Sequence, residues 1–379
     1  MAGPTLPPLL SPTLPKIKRV GPQLLSDELT GEDRAAQPKA GRLLTDDRDP
    51  WAHNAWDNVA WDEEQDKIAQ EMVAKQAAVP VPLELQEECN GDPKAHWDTF
   101  YAHFKDGFFN DRQWLRTEFS ELADVVKADA GPKRVVEIGC GPGNTLFPLF
   151  SANENPLLQL HGLDFSKEAV ELVKKNPAFD PAHCHAQVWD LSSKEGLPSS
   201  VEAGSVDVGI MIFVLSALHP DEWPQAVENA WTMLKPGGVL LASLDADMAQ
   251  LRFKKERYMQ PNLYIRGDKT RVYFFERDEL VNLFGPPTKP SALSPSLSTL
   301  TLTEPPSSSA EHSQSDIPHF DAQNGSTAED PDSPAVFDER FRFELLHLGV
   351  DRRLLLNRKK QLKMYRIWLQ GRWRKPLVA

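Results

Sequence analysis

Only three cysteines, Cys89, Cys140 and Cys184, occur in 379 residues. Three thiols cannot build a disulfide framework, and no CxxC pair is present to hold zinc. The composition therefore points to a reduced, intracellular compartment and to a protein without a metal. Long apolar runs are also missing. No stretch is long enough to span a bilayer, and no secretory signal is apparent, so a cytoplasmic protein without a membrane is expected. The first twenty-five residues lack acidic side chains, which leaves a mitochondrial address as a minor reading. Their many prolines argue against an amphipathic transit helix. No internal repeat is visible.

Proline, by contrast, is plentiful at 32 residues, and it is concentrated outside the regularly patterned part of the chain. Residues 1–50 and 285–336 are rich in proline and polar residues, as in PSALSPSLSTLTLTEPPSSS, and are expected to be disordered. The second stretch interrupts one large domain before its last strands, as a surface insertion can at modest cost.

Residues Val135 to Asn144 read VVEIGCGPGN, an apolar strand followed by a turn with Gly139, Gly141 and Gly143. A side chain at these positions would block a tight strand-to-helix turn or keep the backbone away from a ligand. The dinucleotide fingerprint places its third glycine one residue later, where this chain has Asn144. The spacing favours the S-adenosylmethionine loop of class I methyltransferases. Glu137 fits that cofactor, which carries a sulfonium and an ammonium but no phosphate. Cys140, inside the loop, reads as a small buried residue.

Four further segments fall in order. LQLHGLDFS puts Asp164 at the end of a second strand, where a carboxylate accepts ribose hydroxyls. CHAQVWDLS puts Asp190 after a third strand, within reach of an adenine amino group. SVDVGIMIFVLSALHP is a fourth strand, apolar on both faces, and LKPGGVLLAS leads into a fifth. Helices are expected around Leu146–Ser151, Lys167–Lys175 and Pro224–Leu234. The alternation predicts an α/β fold of the Rossmann-like class I methyltransferase type. Its sheet is expected to be mostly parallel and seven-stranded, with helices on both faces and ligands at the strands' carboxyl ends.

The net charge of −13, from 42 basic and 55 acidic residues, argues at first against a nucleic-acid partner. Its distribution reverses that inference. Acids crowd the 285–336 stretch, whereas the last forty residues carry Arg358, Lys359, Lys360, Lys363 and other cations among Tyr365, Trp368 and Trp373. RFKKER (Arg252 to Arg257) with Arg266, Lys269 and Arg271 forms a second basic group beside Tyr264, Tyr273 and Phe274. Cations interleaved with aromatics suit phosphate contact and base stacking, and so point to RNA as the partner.

Several blocks resemble the eukaryotic tRNA 3-methylcytidine methyltransferases: RLLTDDRDPWAHNAWDNVAWDEEQ, HWDTFYAHFKDGFFNDRQWLRTEF, VVEIGCGPGNTLFPL, NLYIRGDKTRVYFF and HLGVDRRLLLNRKKQLKMYRIWLQGRWRKP. The HNAWDNVAWDEEQ segment is most similar to the branch acting on threonine tRNA. The resemblance implies S-adenosylmethionine-dependent methylation of N3 in the cytidine that opens the tRNA anticodon loop, position 32, in threonine tRNA and by extension serine tRNAs. An aminoacyl-tRNA synthetase or other auxiliary protein is an implied partner. The chain divides into a tail (1–41), an extension for tRNA and for closing the cofactor site (42–125), a core (126–284), the insertion (285–336) and basic strands completing the sheet (337–379). By motif matching, Trp97, Tyr101, Gly139, Asp164, Asp190 and Ile212 belong to the cofactor pocket, together with Gly141 of the same loop. Trp97 and Tyr101 lie four apart and so on one helix face.

Cytosine N3 carries a lone pair at neutral pH, so no general base is required, and alignment is the main task. A base paired through N3 must first be turned out of its stem. Arg112, Arg266 and Arg271 are candidates for holding the RNA. One departure concerns the fifth strand. In the family it ends in phenylalanine–arginine–aspartate–tyrosine–glycine, and here it reads LLASLDADMAQLRFK, about two residues shorter. Asp245 or Asp247 is the candidate replacement for the catalytic carboxylate. The competing readings are a class I methyltransferase for a protein or small molecule, and a catalytically impaired tRNA-binding protein.

Overall fold

In the computed structural model, residues 44–45, 48–57, 59, 63–246, 249–253, 255–285, 341–357 and 362–377 are described. The N-terminal part supplies a short strand, β1 (Ala55–Trp56), and the helices α1 (Glu63–Ala77), α2 (Leu83–Gly91) and α3 (Pro93–Phe104). α3 begins where the Asp92 carboxylate accepts the Ala95 N–H at 2.9 Å. Pro93 fills its first turn, where a missing N–H costs nothing. Two short helices follow, α4 (Leu115–Glu118) and α5 (Ser120–Val125).

The expected alternation then begins: β2 (Lys133–Ile138), α6 (Leu146–Ser151), β3 (Leu158–Asp164), α7 (Lys167–Lys175), β4 (Cys184–Val188), β5 (Val206–Ile212), α8 (Trp223–Met233) and β6 (Leu234–Asp245). These five strands pair in parallel in the order β6-β5-β2-β3-β4. Their side chains alternate between two cores, as the two-residue period of a strand requires. Val136, Ile138, Leu163 and Met211 face the core shared with α8, while Val135, Leu160, Ile210 and Leu241 face the core shared with α5 and α6.

A small antiparallel sheet of β7 (Tyr258–Gln260), β8 (Leu263–Ile265) and β9 (Arg271–Tyr273) follows β6 and was not legible in the sequence. Helix α9 (Arg277–Phe284) precedes a long hairpin of β10 (Glu344–Asn357) and β11 (Leu362–Arg374). β11 joins the main sheet antiparallel to β6. The expected seven strands become eight, because β1 pairs with the outer edge of β10. An open edge leaves backbone donors and acceptors unpaired. β1 covers part of it, with the fully buried Trp56 set against Val59, Leu354 and Leu356.

The hairpin is longer than its docking strand. β11 pairs with β6 only as far as Trp368 opposite Asp245, while β10 and β11 continue pairing to Asn357 opposite Leu362. At roughly 3.3 Å per residue, it overhangs the carboxyl end of β6 by about 20 Å.

Candidate active site

The glycine loop leaves β2 with positive φ at all three glycines, +64° at Gly139, +53° at Gly141 and +95° at Gly143. A Cβ at Gly139 would run into the Val214 side chain, and one at Gly141 would stand 2.9 Å from the Tyr101 hydroxyl. Both positions therefore need glycine on two counts, backbone conformation and space. Beneath the loop, Asp164 ends β3 and is 5% exposed. Its carboxylate accepts the Gly141 N–H at 2.8 Å and the Ser166 N–H at 2.9 Å. Burial raises its pKa to about 6, against the opposing pull of those two backbone hydrogen bonds.

The aromatic pair of α3 closes over this loop. Tyr101 is buried and Trp97 half-buried, with ring centroids 5.8 Å apart in a stacked arrangement. Burial and the nearby Asp164 charge hold the Tyr101 hydroxyl well above the usual phenol range, so it stays protonated. Helix α3 is tied down by Asp98, whose carboxylate accepts the Ser166 hydroxyl at 2.6 Å. Ser166 in turn caps α7 by accepting the Ala169 N–H. This tie between lid and cofactor strand was not foreseen, since the two residues are 68 positions apart.

Asp190 is exposed just after β4, with its carboxylate accepting the Ser192 N–H and hydroxyl at 2.8 Å each. Ile212, the last residue of β5, is 3% exposed. The residues assigned to the cofactor thus come together along the carboxyl ends of β2 to β5. The cradle fits S-adenosylmethionine: two glycines that admit no Cβ, a buried carboxylate for hydroxyls, and an aromatic lid for the sulfonium side.

The three arginines proposed to hold RNA have other partners. Arg112 donates to Thr145 Oγ1 at 3.2 Å and stands 3.4 Å from Glu137 Oε1. Glu137 is a 2% exposed carboxylate whose pKa burial raises to about 7, with Arg112 pulling the other way. A buried acid at the base of the loop needs a counter-charge, and Arg112 supplies it. Arg271, 4% exposed, lies 3.0 Å from Glu222 Oε2 and 3.4 Å from Asn90 Oδ1. It locks the small sheet against α2 and cannot meet a phosphate without leaving that pair. Arg266 donates to the Arg271 carbonyl at 3.1 Å and sets a second guanidinium nitrogen 3.6 Å from Asp245 Oδ2. The RNA role is therefore withdrawn for Arg112 and Arg271, and Arg266 belongs beside the candidate catalytic carboxylate.

Asp245 ends β6 with its N–H donated to Ser216 Oγ at 2.9 Å. Asp247 lies outside the described residues, as do Arg358, Lys359 and Lys360. Lys363 lies on β11, but its side chain is likewise outside them. Much of the remaining basic block serves the fold. Arg353 pairs with Asp57 and lies over the Trp368 ring, Arg372 pairs with Glu121, and Arg374 pairs with Glu344. Lys375 donates to the carbonyls of Trp231 and Leu234. Arg366, on the overhanging part of β11, is exposed. Sequence reading missed Phe213, the exposed residue after β5, because it continues an apolar run.

Residues 136–240 match a family described as a methyltransferase domain. The chain is 41% identical over 333 residues to the tRNA(Thr) (cytosine(32)-N(3))-methyltransferase of Saccharomyces cerevisiae, covering 87% of this chain and 44% of that protein. It is 37% identical to the tRNA N(3)-methylcytidine methyltransferase trm140 of Schizosaccharomyces pombe, covering 88% and 91%. Against the tRNA N(3)-cytidine methyltransferase METTL2 of Danio rerio, identity is 38%, covering 90% of each. With a glycine cradle, a buried strand-end carboxylate and relatives of this similarity along most of its length, the chain belongs to the tRNA N(3)-cytidine methyltransferase family.

Proposed function

We propose that this protein methylates N3 of the cytidine at position 32 in the anticodon loop of tRNA, with threonine tRNA the first substrate and serine tRNAs further ones. The observation that carries the reading is the placement of two carboxylates at one end of one sheet. Asp164 lies buried under the glycine loop, and Asp245 stands three strands away beside Arg266. Relatives named for N(3) methylation of tRNA cytidine, one of them at position 32 of threonine tRNA, match this chain over nearly nine tenths of its length. S-adenosylmethionine supplies an electrophilic methyl group: the N3 lone pair forms the new N–C bond, the S–C electrons stay on sulfur, and the base becomes cationic.

The protein's own residues hold and orient. The Asp164 carboxylate takes ribose hydroxyls, Asp190 the adenine amino group, and Trp97 and Tyr101 cover the cofactor and exclude water. In this reading Asp245, beside Arg266, accepts a hydrogen bond from the exocyclic amino group of cytosine and balances the charge that develops on the ring. No residue needs to remove a proton from N3, which carries none. The overhanging hairpin carries Arg366 and leads to Arg358, Lys359, Lys360 and Lys363, which would track the RNA backbone.

Among the described residues, no helix is long and apolar enough to cross a membrane. Work in the cytoplasm, with an aminoacyl-tRNA synthetase or another auxiliary protein as partner, belongs to this proposal. The test is transfer of labelled methyl groups from S-adenosylmethionine to threonine tRNA, beside the same tRNA with uridine in place of the target cytidine. Cytidine-dependent labelling is expected. Equal labelling of both RNAs, or labelling of a protein or small molecule only, would contradict the reading.

A further inference from the structure

β5 stops at Ile212 because the next residue leaves the sheet in an unusual way. Phe213 adopts φ +61°, the left-handed region that a bulky side chain enters only under constraint from its surroundings. Glycine would take that conformation freely, yet this chain uses a large aromatic residue there. The turn is held from one side by the Phe213 N–H, which donates to the Ser243 carbonyl of β6 at 2.7 Å.

The neighbours of Phe213 define where it stands. Ile212 before it and Leu215 after it are buried at 3% and 1% exposure, whereas Phe213 is 37% exposed. Val214 packs over Gly139 of the cofactor loop. Ser216 accepts the N–H of Asp245. One strained corner thus touches the cofactor cradle through one residue and the candidate catalytic carboxylate through another. Between those two contacts it keeps an aromatic ring open to solvent at the carboxyl end of the sheet.

We propose that Phe213 is the stacking platform for the target cytosine, a substrate-contacting residue that positions the turned-out base between Gly139 and Asp245. The proposal rests on the reading that cytidine in tRNA is the substrate. A base taken out of its stack loses the faces of its neighbours, and an aromatic face in the pocket replaces that loss. The strained backbone is what aims the ring away from the core, where an unstrained strand continuation would bury it.

The test uses the full chain with Phe213→Gly and Phe213→Tyr. Glycine relieves the backbone strain, so Phe213→Gly is expected to fold with an unchanged or higher Tm and to bind S-adenosylhomocysteine as before. Methyl transfer per unit of subsaturating tRNA should fall at least tenfold in Phe213→Gly, and Phe213→Tyr should keep most of it. A second readout is the affinity of the protein for an anticodon stem-loop carrying either cytidine or an abasic site at the target position. Wild type should prefer the cytidine RNA at least fivefold, and Phe213→Gly should bind both alike. Unchanged transfer in Phe213→Gly, or a loss that follows cofactor affinity, overturns the stacking role while leaving the tRNA reading intact. Wild type that does not distinguish cytidine from uridine tRNA in methyl transfer overturns both.

Discussion

Asp164 carries its charge in a place that penalises charge, and its behaviour with pH follows. Its folded pKa of about 6 lies above the usual unfolded value near 3.9. The fold therefore holds the proton more tightly. The stability this lends is present in acid and is lost as pH rises through about 6. Cofactor binding runs the opposite way, because ribose hydroxyls need an ionised acceptor. S-adenosylhomocysteine affinity should rise about tenfold from one pH unit below that value to one above, and the rise should be absent in Asp164→Asn. A flat profile in the unaltered protein would remove Asp164 from the ribose site. Arg112→Ala leaves the buried Glu137 without its cation, at a cost of about 2–3 kcal/mol. A Tm lower by several degrees with weakened S-adenosylhomocysteine binding is expected, and the salt dependence of tRNA binding should stay the same. A changed salt slope with an unchanged Tm would return Arg112 to the RNA. Asp164 was legible because strand, acid and glycine loop follow in order. The pairs of Arg271 were not, since Glu222 and Asn90 lie 49 and 181 positions away, and a basic residue in a basic run does not announce which way it faces.

The hairpin of β10 and β11 is the element whose length exceeds what the sheet needs. Its base is fixed by Arg372–Glu121 and Arg374–Glu344, and its part beyond Asp245 is braced on one side by β1 and by Arg353–Asp57. Basic residues at the base are therefore taken up by carboxylates, and the proposed RNA contacts are left to Arg358, Lys359, Lys360 and Lys363. Neutralising Arg358, Lys359, Lys360 and Lys363 together should weaken tRNA binding and reduce the slope of log affinity against log salt by about 3. Cofactor affinity should not move. An unaltered slope would make the hairpin a structural cover. The end of β6 is the second element under test. Asp245→Asn should lower methyl transfer roughly tenfold to a hundredfold, as a slight misplacement near reacting atoms can, with S-adenosylhomocysteine and tRNA affinities retained. Full activity of that variant would show that Asp245 does not replace the carboxylate of the family's longer strand end.

At the scale of the whole molecule, the parallel sheet was legible because strands alternate with helices in order and the central β5 is apolar on both faces. What escaped were pairings set by distant partners. β1 joins the sheet through two residues, and β7 to β9 are strands of three residues each, too short for a period to emerge. The basic clusters were visible as composition, but which of their members enter ion pairs depends on which carboxylates the fold brings near. The arrangement proposed to unite these levels is a cofactor cradle and a base site side by side at the carboxyl ends of β2, β3, β5 and β6. The direct measurement is digestion of threonine tRNA to nucleosides after incubation with the protein and S-adenosylmethionine, followed by mass spectrometry. The account predicts 3-methylcytidine as the product that increases, mapped to the anticodon loop and absent when the target cytidine is replaced. Another methylated nucleoside in its place, or 3-methylcytidine that persists after that replacement, would contradict it.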